Sequence, residues 1–141
     1  MKVFLYGTLM KGHSNHHLIK RANGKFVSKA IIRDKDLYFV FPNSFPAVVD
    51  GKGEVFGEIY DIPDTKLEEG VYPIQLLDSL EGYNPKRRKE DNMYLRKRTV
   101  AIKYSGEKVW CSYYYWNGVL DSKLKIPNGD WGKSVKKLRY Y

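Results

Sequence analysis

Lys108-Val109-Trp110-Cys111-Ser112-Tyr113-Tyr114-Tyr115-Trp116 is the stretch that decides the fold class. β-Branched and aromatic residues dominate it, and such side chains fit a pleated surface better than a helix. Tyr94–Tyr104 precedes it across the turn pair Ser105-Gly106 and reads as a second long strand. Working outward, Lys2–Tyr6 is a short aromatic and β-branched run that stops at Gly7. Lys25–Ile32 and Leu37–Phe41 are further strand candidates, joined through Asp34-Lys35-Asp36, and Pro42-Asn43-Ser44 reads as a turn. Ala47–Asp50 runs into Gly51-Lys52-Gly53, a hairpin signal, and Glu54–Asp61 alternates beyond it.

Two short helices interrupt the strands. Ser14 is a candidate N-cap for a helix through Lys20, closed by Asn23-Gly24. The clearer helix is Pro73–Gly82. Pro73 suits a first turn, Leu76, Leu77 and Leu80 repeat at helical spacing, and Gly82 is a natural terminator. Asn84–Asn92 reads as a charged connection, and the tail from Asn117 to Tyr141 as turns and lysines. No internal repeat and no linker divides the chain. Many strands with few helices predict one small α+β domain over residues 1–141, with a closed sheet as one arrangement.

The 141 residues include 25 Lys or Arg, 16 Asp or Glu and one Cys, giving a net charge of +9. At 43% hydrophobic and 29% charged, the composition is globular. One cysteine excludes an internal disulfide framework and a multi-thiolate metal site. The apolar runs are far shorter than a membrane span, and Met1–His13 lacks the form of a signal peptide. The expectation is a soluble, cytoplasmic protein in a reducing compartment, without a membrane partner. The positive charge admits an anionic ligand or nucleic acid and does not choose between them.

Several patterns could carry chemistry. Tyr6-Gly7-Thr8-Leu9 takes a strand into a Gly-containing turn, where successive backbone N–H groups can form an anion site. Gly7 would let a ligand approach the backbone. Glu81 lies in the last turn of the Pro73–Gly82 helix, where the negative end of the helix dipole raises a carboxylate's pKa. Desolvation by Leu80 and Tyr83 would raise it further and make Glu81 a general base near neutral pH. His13, His16 and His17 suggest a metal, but no third ligand is apparent, and no metal or cofactor is expected. Lys86-Arg87-Arg88-Lys89 and Arg96-Lys97-Arg98 flank Tyr94 and could touch nucleic acid; a charged loop and protected strand edge explain them as well. Cys111 reads as a buried small hydrophobe.

Taken together, Val3-Phe4-Leu5-Tyr6-Gly7-Thr8-Leu9, followed by Gly12 and Asn15-His16, resembles the opening of the γ-glutamylcyclotransferase-like superfamily. The similarity is greatest to the γ-glutamylamine cyclotransferase branch and its small microbial relatives. Phe45-Pro46-Ala47-Val48-Val49, Val55–Tyr60, Leu77-Asp78-Ser79-Leu80-Glu81-Gly82-Tyr83, Tyr94–Arg98 and the strand ending at Trp116 resemble the later blocks in order. Ile126 with Gly129-Asp130-Trp131 resembles a C-terminal motif of the microbial members.

The resemblance implies a small mixed barrel and an enzyme that cyclises a γ-glutamyl group into 5-oxoproline, releasing the attached amine or amino acid. It implies that Tyr6, Gly7, Thr8 and Leu9 hold the α-carboxylate through backbone N–H groups. It assigns Glu81 as the general acid and base. A tyrosine of the Tyr113–Tyr115 run is a candidate oxyanion donor. The alternatives are a non-catalytic module binding a small carboxylate on the same fold and, less favoured, a nucleic-acid binder. The leaving amine and the oligomeric state are left open.

Overall fold

In a computed structural model, residues 1–40 and 45–134 are described. Phe41 and the Pro42-Asn43-Ser44 turn lie outside the described residues, as do residues 135–141 of the tail. The strands are β1 (Lys2–Leu5), β2 (Lys25–Val40), β3 (Phe45–Asp61), β4 (Tyr94–Lys103), β5 (Lys108–Trp116) and β6 (Lys125–Ile126), with α1 (His17–Arg21) and α2 (Pro73–Leu80) between them.

The strand order is β3-β1-β5-β4-β2-β6, and a further β2–β3 pairing closes the first five into a barrel. β1 pairs with β5 in parallel through Val3 and Ser112, whereas β1–β3, β2–β3, β2–β4 and β4–β5 are antiparallel, so the barrel is mixed as expected. Closure leaves no open edge on these five strands. Val3, Phe4, Ile32, Val48, Val55 and Ile59 are fully buried and fill the interior. Trp131, beyond β6, stacks on Phe39 with ring centroids 5.6 Å apart, so the C-terminal segment covers one flank of β2.

β4 and β5 pair from Tyr94↔Trp116 to Ile102↔Lys108 around Ser105-Gly106, as predicted. β2 and β3 differ from expectation. Each is one long strand, of 16 and 17 residues. The glycines of Gly51-Lys52-Gly53 make room for a side chain instead of turning the chain. Asp36 on β2 lies over them, and a Cβ on Gly51 would stand 2.1 Å from its Oδ2. The Gly53 N–H donates to Asp36 Oδ1 at 3.1 Å. On the facing strand Asp34 takes φ 57°, and the register shifts between Arg33 and Lys35, as in a bulge. A polar triplet and a pair of glycines thus mark a bend shared by two strands. α1 also starts later than expected, at His17 with His16 as its N-cap, and Ser14 lies in the preceding turn.

Candidate active site

β1 buries Val3, Phe4 and Leu5 and leaves the barrel at Tyr6. The Tyr6 hydroxyl donates to the Tyr114 carbonyl at 2.5 Å, tying the start of the loop to β5. The Met10 N–H donates to the Gly7 carbonyl, which closes a tight turn over Gly7-Thr8-Leu9-Met10. Asn15 clamps this turn twice. Its backbone N–H donates to the Thr8 carbonyl at 2.8 Å, and its Nδ2 donates to Thr8 Oγ1 at 2.9 Å. His16 Nδ1 pairs with the Leu9 carbonyl at 2.8 Å. With the carbonyls of Gly7, Thr8 and Leu9 all engaged, the turn is held from one side. Among the described residues no acceptor takes the N–H of Thr8 or Leu9.

Gly7 also has a packing reason. A Cβ there would stand 2.2 Å from Pro46 Cγ. The missing side chain admits Pro46 of β3, whose ring packs on the turn, and Gly7 itself is buried.

α2 supplies the acid. Pro73 opens it, and the Tyr72 N–H is capped by the Gln75 side chain at 2.7 Å. Its far end is a glycine-terminated cap. Gly82 takes φ 60°, the Gly82 N–H reaches Ser79, and the Tyr83 N–H reaches Asp78 at 2.9 Å. Glu81 is the last residue before this turn, with its N–H still bonded to the Leu77 carbonyl. The Gly82 carbonyl accepts from Met93 N–H and from Arg87 Nη2, so the backbone on both sides of Glu81 is fixed.

Glu81 lines a cavity of about 260 Å³ with Thr8, Asn15, Pro46, Leu80, Met93 and Tyr94. A narrower recess behind it is lined by Tyr6, Gly7, Thr8, Leu9, Pro46, Glu81 and Tyr114. All five residues singled out in the sequence therefore meet at one place. Among the described residues no hydrogen bond reaches the Glu81 carboxylate, which leaves it available to a ligand. Burial pushes its pKa up to about 8, and the Asp78 carboxylate adds to the rise. Burial was anticipated as a cause; Asp78 was not. Leu80 lines the cavity as expected, whereas the Tyr83 ring lies against the Arg96 guanidinium, 5.4 Å from its centroid.

Asp78, Arg96 and Tyr94 escaped the sequence reading as residues of this site, whereas Tyr114 belongs to the tyrosine run it singled out. Asp78 accepts from Arg96 Nη1 at 2.5 Å and from the Tyr114 hydroxyl at 2.7 Å. Its signal was available: a carboxylate beside Leu77, one turn after Ile74, falls on the buried stripe of the helix. Of the Tyr113–Tyr115 run, Tyr114 lines the narrow recess, and its hydroxyl is already given to Asp78. Tyr94 lines the larger cavity and donates to the Pro46 carbonyl at 2.5 Å.

The other candidates go elsewhere. His16 is engaged with Leu9 and lies tilted against the Tyr60 ring, and among the described residues no group of three His, Cys, Asp or Glu could hold a metal. Arg87 binds Asn92, Arg88 binds Asp91, and Arg96 binds Asp78, so these arginines of the basic runs serve internal pairings. Cys111 is buried. No helix among the described residues is long and apolar enough to cross a membrane.

The profile of the family described as "Gamma-glutamyl cyclotransferase, AIG2-like" matches residues 3–133. The chain belongs to this family. It is thereby an enzyme of the cyclotransferase type. A Methanocaldococcus jannaschii protein named "Putative gamma-glutamylcyclotransferase" is 30% identical over 116 residues, covering 79% of this chain and 82% of its own. The Danio rerio protein "Gamma-glutamylaminecyclotransferase A" is 37% identical over 75 residues, 48% of this chain and 47% of its own. Among solved structures, an uncharacterised Pyrococcus horikoshii protein superposes with a TM-score of 0.67 at 20% identity over 100% of this chain and 98% of its own. A structure titled "Gamma-glutamyl cyclotransferase" gives 0.59 at 18% identity over 82% of this chain and 66% of its own. These two likenesses establish the barrel fold of the family.

Proposed function

We propose that the protein cyclises the γ-glutamyl group of a γ-glutamyl amine or γ-glutamyl amino acid to 5-oxoproline and releases the amine. The observation that carries this reading is that Glu81, Thr8 and Leu9 line one recess, where among the described residues no acceptor takes the Thr8 or Leu9 N–H. The amides would take the substrate's α-carboxylate. A cationic side chain there would compete for Glu81, so neutral N–H donors suit a site whose base is itself an acid.

The α-ammonium then stands beside Glu81. Its positive charge favours the ionised carboxylate, and burial returns the advantage to the protonated form once the proton has moved. The freed amine attacks the γ-carbonyl carbon, the lactam C–N bond forms, and the bond to the leaving nitrogen breaks. Of the ammonium's three protons, one stays on the lactam nitrogen and two end on the released amine. Glu81 carries protons between the two nitrogens and ends as it began. No enzyme nucleophile and no water takes part, because nucleophile and electrophile belong to one substrate. Holding that chain folded contributes on the order of 7–11 kcal/mol in favourable intramolecular cases. The free, buried Cys111 suits a reducing compartment such as the cytoplasm.

The test is incubation of the purified protein with a panel of γ-glutamyl amines and γ-glutamyl amino acids, with 5-oxoproline as readout. Formation from at least one supports the reading. Binding of 5-oxoproline or glutamate without turnover of any member of the panel would favour a carboxylate-binding module instead.

A further inference from the structure

Asp78 lies in the last turn of α2, three residues before its C-cap Glu81, and residues so spaced are neighbours on a helical surface. It is buried, with 6% exposure, and carries a charge that the proposed reaction does not use directly. Both of its oxygens are gripped, by Arg96 on Oδ2 and Tyr114 on Oδ1. Arg96 and Tyr114 are cross-strand partners in the β4–β5 register, so two adjacent strands hold one carboxylate from the same face. The Tyr114 carbonyl also accepts the Tyr6 hydroxyl. One cluster therefore anchors both the end of α2 that carries Glu81 and the start of the turn that carries Thr8 and Leu9.

We propose that Asp78 is a positioning residue for Glu81: held by Arg96 and Tyr114, it fixes the last turn of α2 against the barrel and places a negative charge beside the base. This rests on the reading of Glu81 given above. A carboxylate held beside a second carboxylate gives up its charge more readily. Arg96 offsets part of that effect, so Asp78 and Arg96 should act on Glu81 with opposite signs. Other groups face Glu81 from the neighbouring elements: Tyr6 after β1, Tyr94 on β4 and Tyr114 on β5. Burial holds all three phenols above the usual tyrosine range, so they stay neutral while Glu81 titrates. Asp78 is the charged neighbour that acts on Glu81 directly, and Arg96 reaches Glu81 through its pairing with Asp78.

The experiment is a carbon-13 NMR titration of the Glu81 side-chain carboxyl, assigned with Glu81→Gln, in the wild type, Asp78→Asn and Arg96→Gln. The pH profile of kcat/KM is measured in parallel. Asp78→Asn keeps the shape and an acceptor for Tyr114 but removes the charge. Its Glu81 midpoint should fall by about one pH unit, a tenfold change in the proton equilibrium. Arg96→Gln should move it upward. Arg88→Gln removes a positive charge that is exposed and paired with Asp91, and should leave the midpoint where it is. Unchanged midpoints in both Asp78→Asn and Arg96→Gln, or a shift of both in one direction, would overturn the proposal. Should Asp78→Asn fail to fold, Arg96→Lys decides alongside Arg96→Gln: the midpoint must hold near wild type in the first and rise in the second. The titration needs no turnover. If Glu81→Gln turns over like the wild type, the base assignment fails, while the NMR midpoints still report whether Asp78 and Arg96 act on Glu81.

Discussion

Thr8 and Glu81 line the same two recesses, although they lie on opposite sides of the molecule's β2–β3 region in sequence. Thr8 sits in a turn whose carbonyls are tied down, and Glu81 in a helix end whose flanking backbone is tied down. This pairing of an amide donor with a half-buried carboxylate is the relationship on which the proposed chemistry depends.

The pH dependence of turnover follows from the acid. Glu81 must be ionised to accept a proton, and burial with Asp78 places its midpoint at about 8. The kcat/KM of the free enzyme should therefore rise with pH, half-maximal near 8, and fall about tenfold per unit well below that. A profile flat between pH 5 and 9 would contradict it.

Stability should run the other way. A carboxyl whose pKa is raised by folding binds its proton more tightly in the native state. Its contribution is complete at low pH and is lost as pH climbs from the unfolded value, about 4.3, towards 8. Urea denaturation should show Glu81→Gln gaining on the wild type across that window, with roughly 5 kcal/mol as a ceiling at pH 8. The two proteins should converge near pH 4.

Gly7→Ala tests the packing of the turn. Its new methyl would meet Pro46 Cγ, so either the ring or the turn must move. A loss of about 1–3 kcal/mol in stability is expected from overpacking, together with a raised KM. Adding Pro46→Ala removes the clashing atom and should recover part of the stability.

Asn15→Ala removes the Nδ2 bond to Thr8 Oγ1 and leaves the backbone clamp in place. The stability cost should be near 1 kcal/mol, typical of one hydrogen bond. If the turn holds the α-carboxylate, KM should rise several-fold with kcat changed less, measured by steady-state 5-oxoproline release.

Local patterns carried the sequence reading where they were complete within a few residues. Pro73, the leucines and Gly82 mark both ends of α2, and Ser105-Gly106 marks the β4–β5 turn, because caps and turns are short-range devices. The barrel's closure was less accessible. Val3 pairs with Ser112 and Tyr6 bonds Tyr114, contacts that no nearby residue announces. Gly51-Lys52-Gly53 misled for a related reason: the residue that needs those glycines, Asp36, lies on another strand. Glu81 and the turn at Tyr6–Leu9 were legible through family resemblance, whereas Asp78 and Arg96 were not, since their pairing joins a helix to a strand.

The most direct measurement compares 5-oxoproline release by wild type and Glu81→Gln under saturating γ-glutamyl amine, with folding of both checked by circular dichroism. The account predicts turnover by the wild type and a loss of at least about a hundredfold in the variant, the usual scale for a general acid–base group. A folded Glu81→Gln that releases 5-oxoproline at the wild-type rate would contradict it.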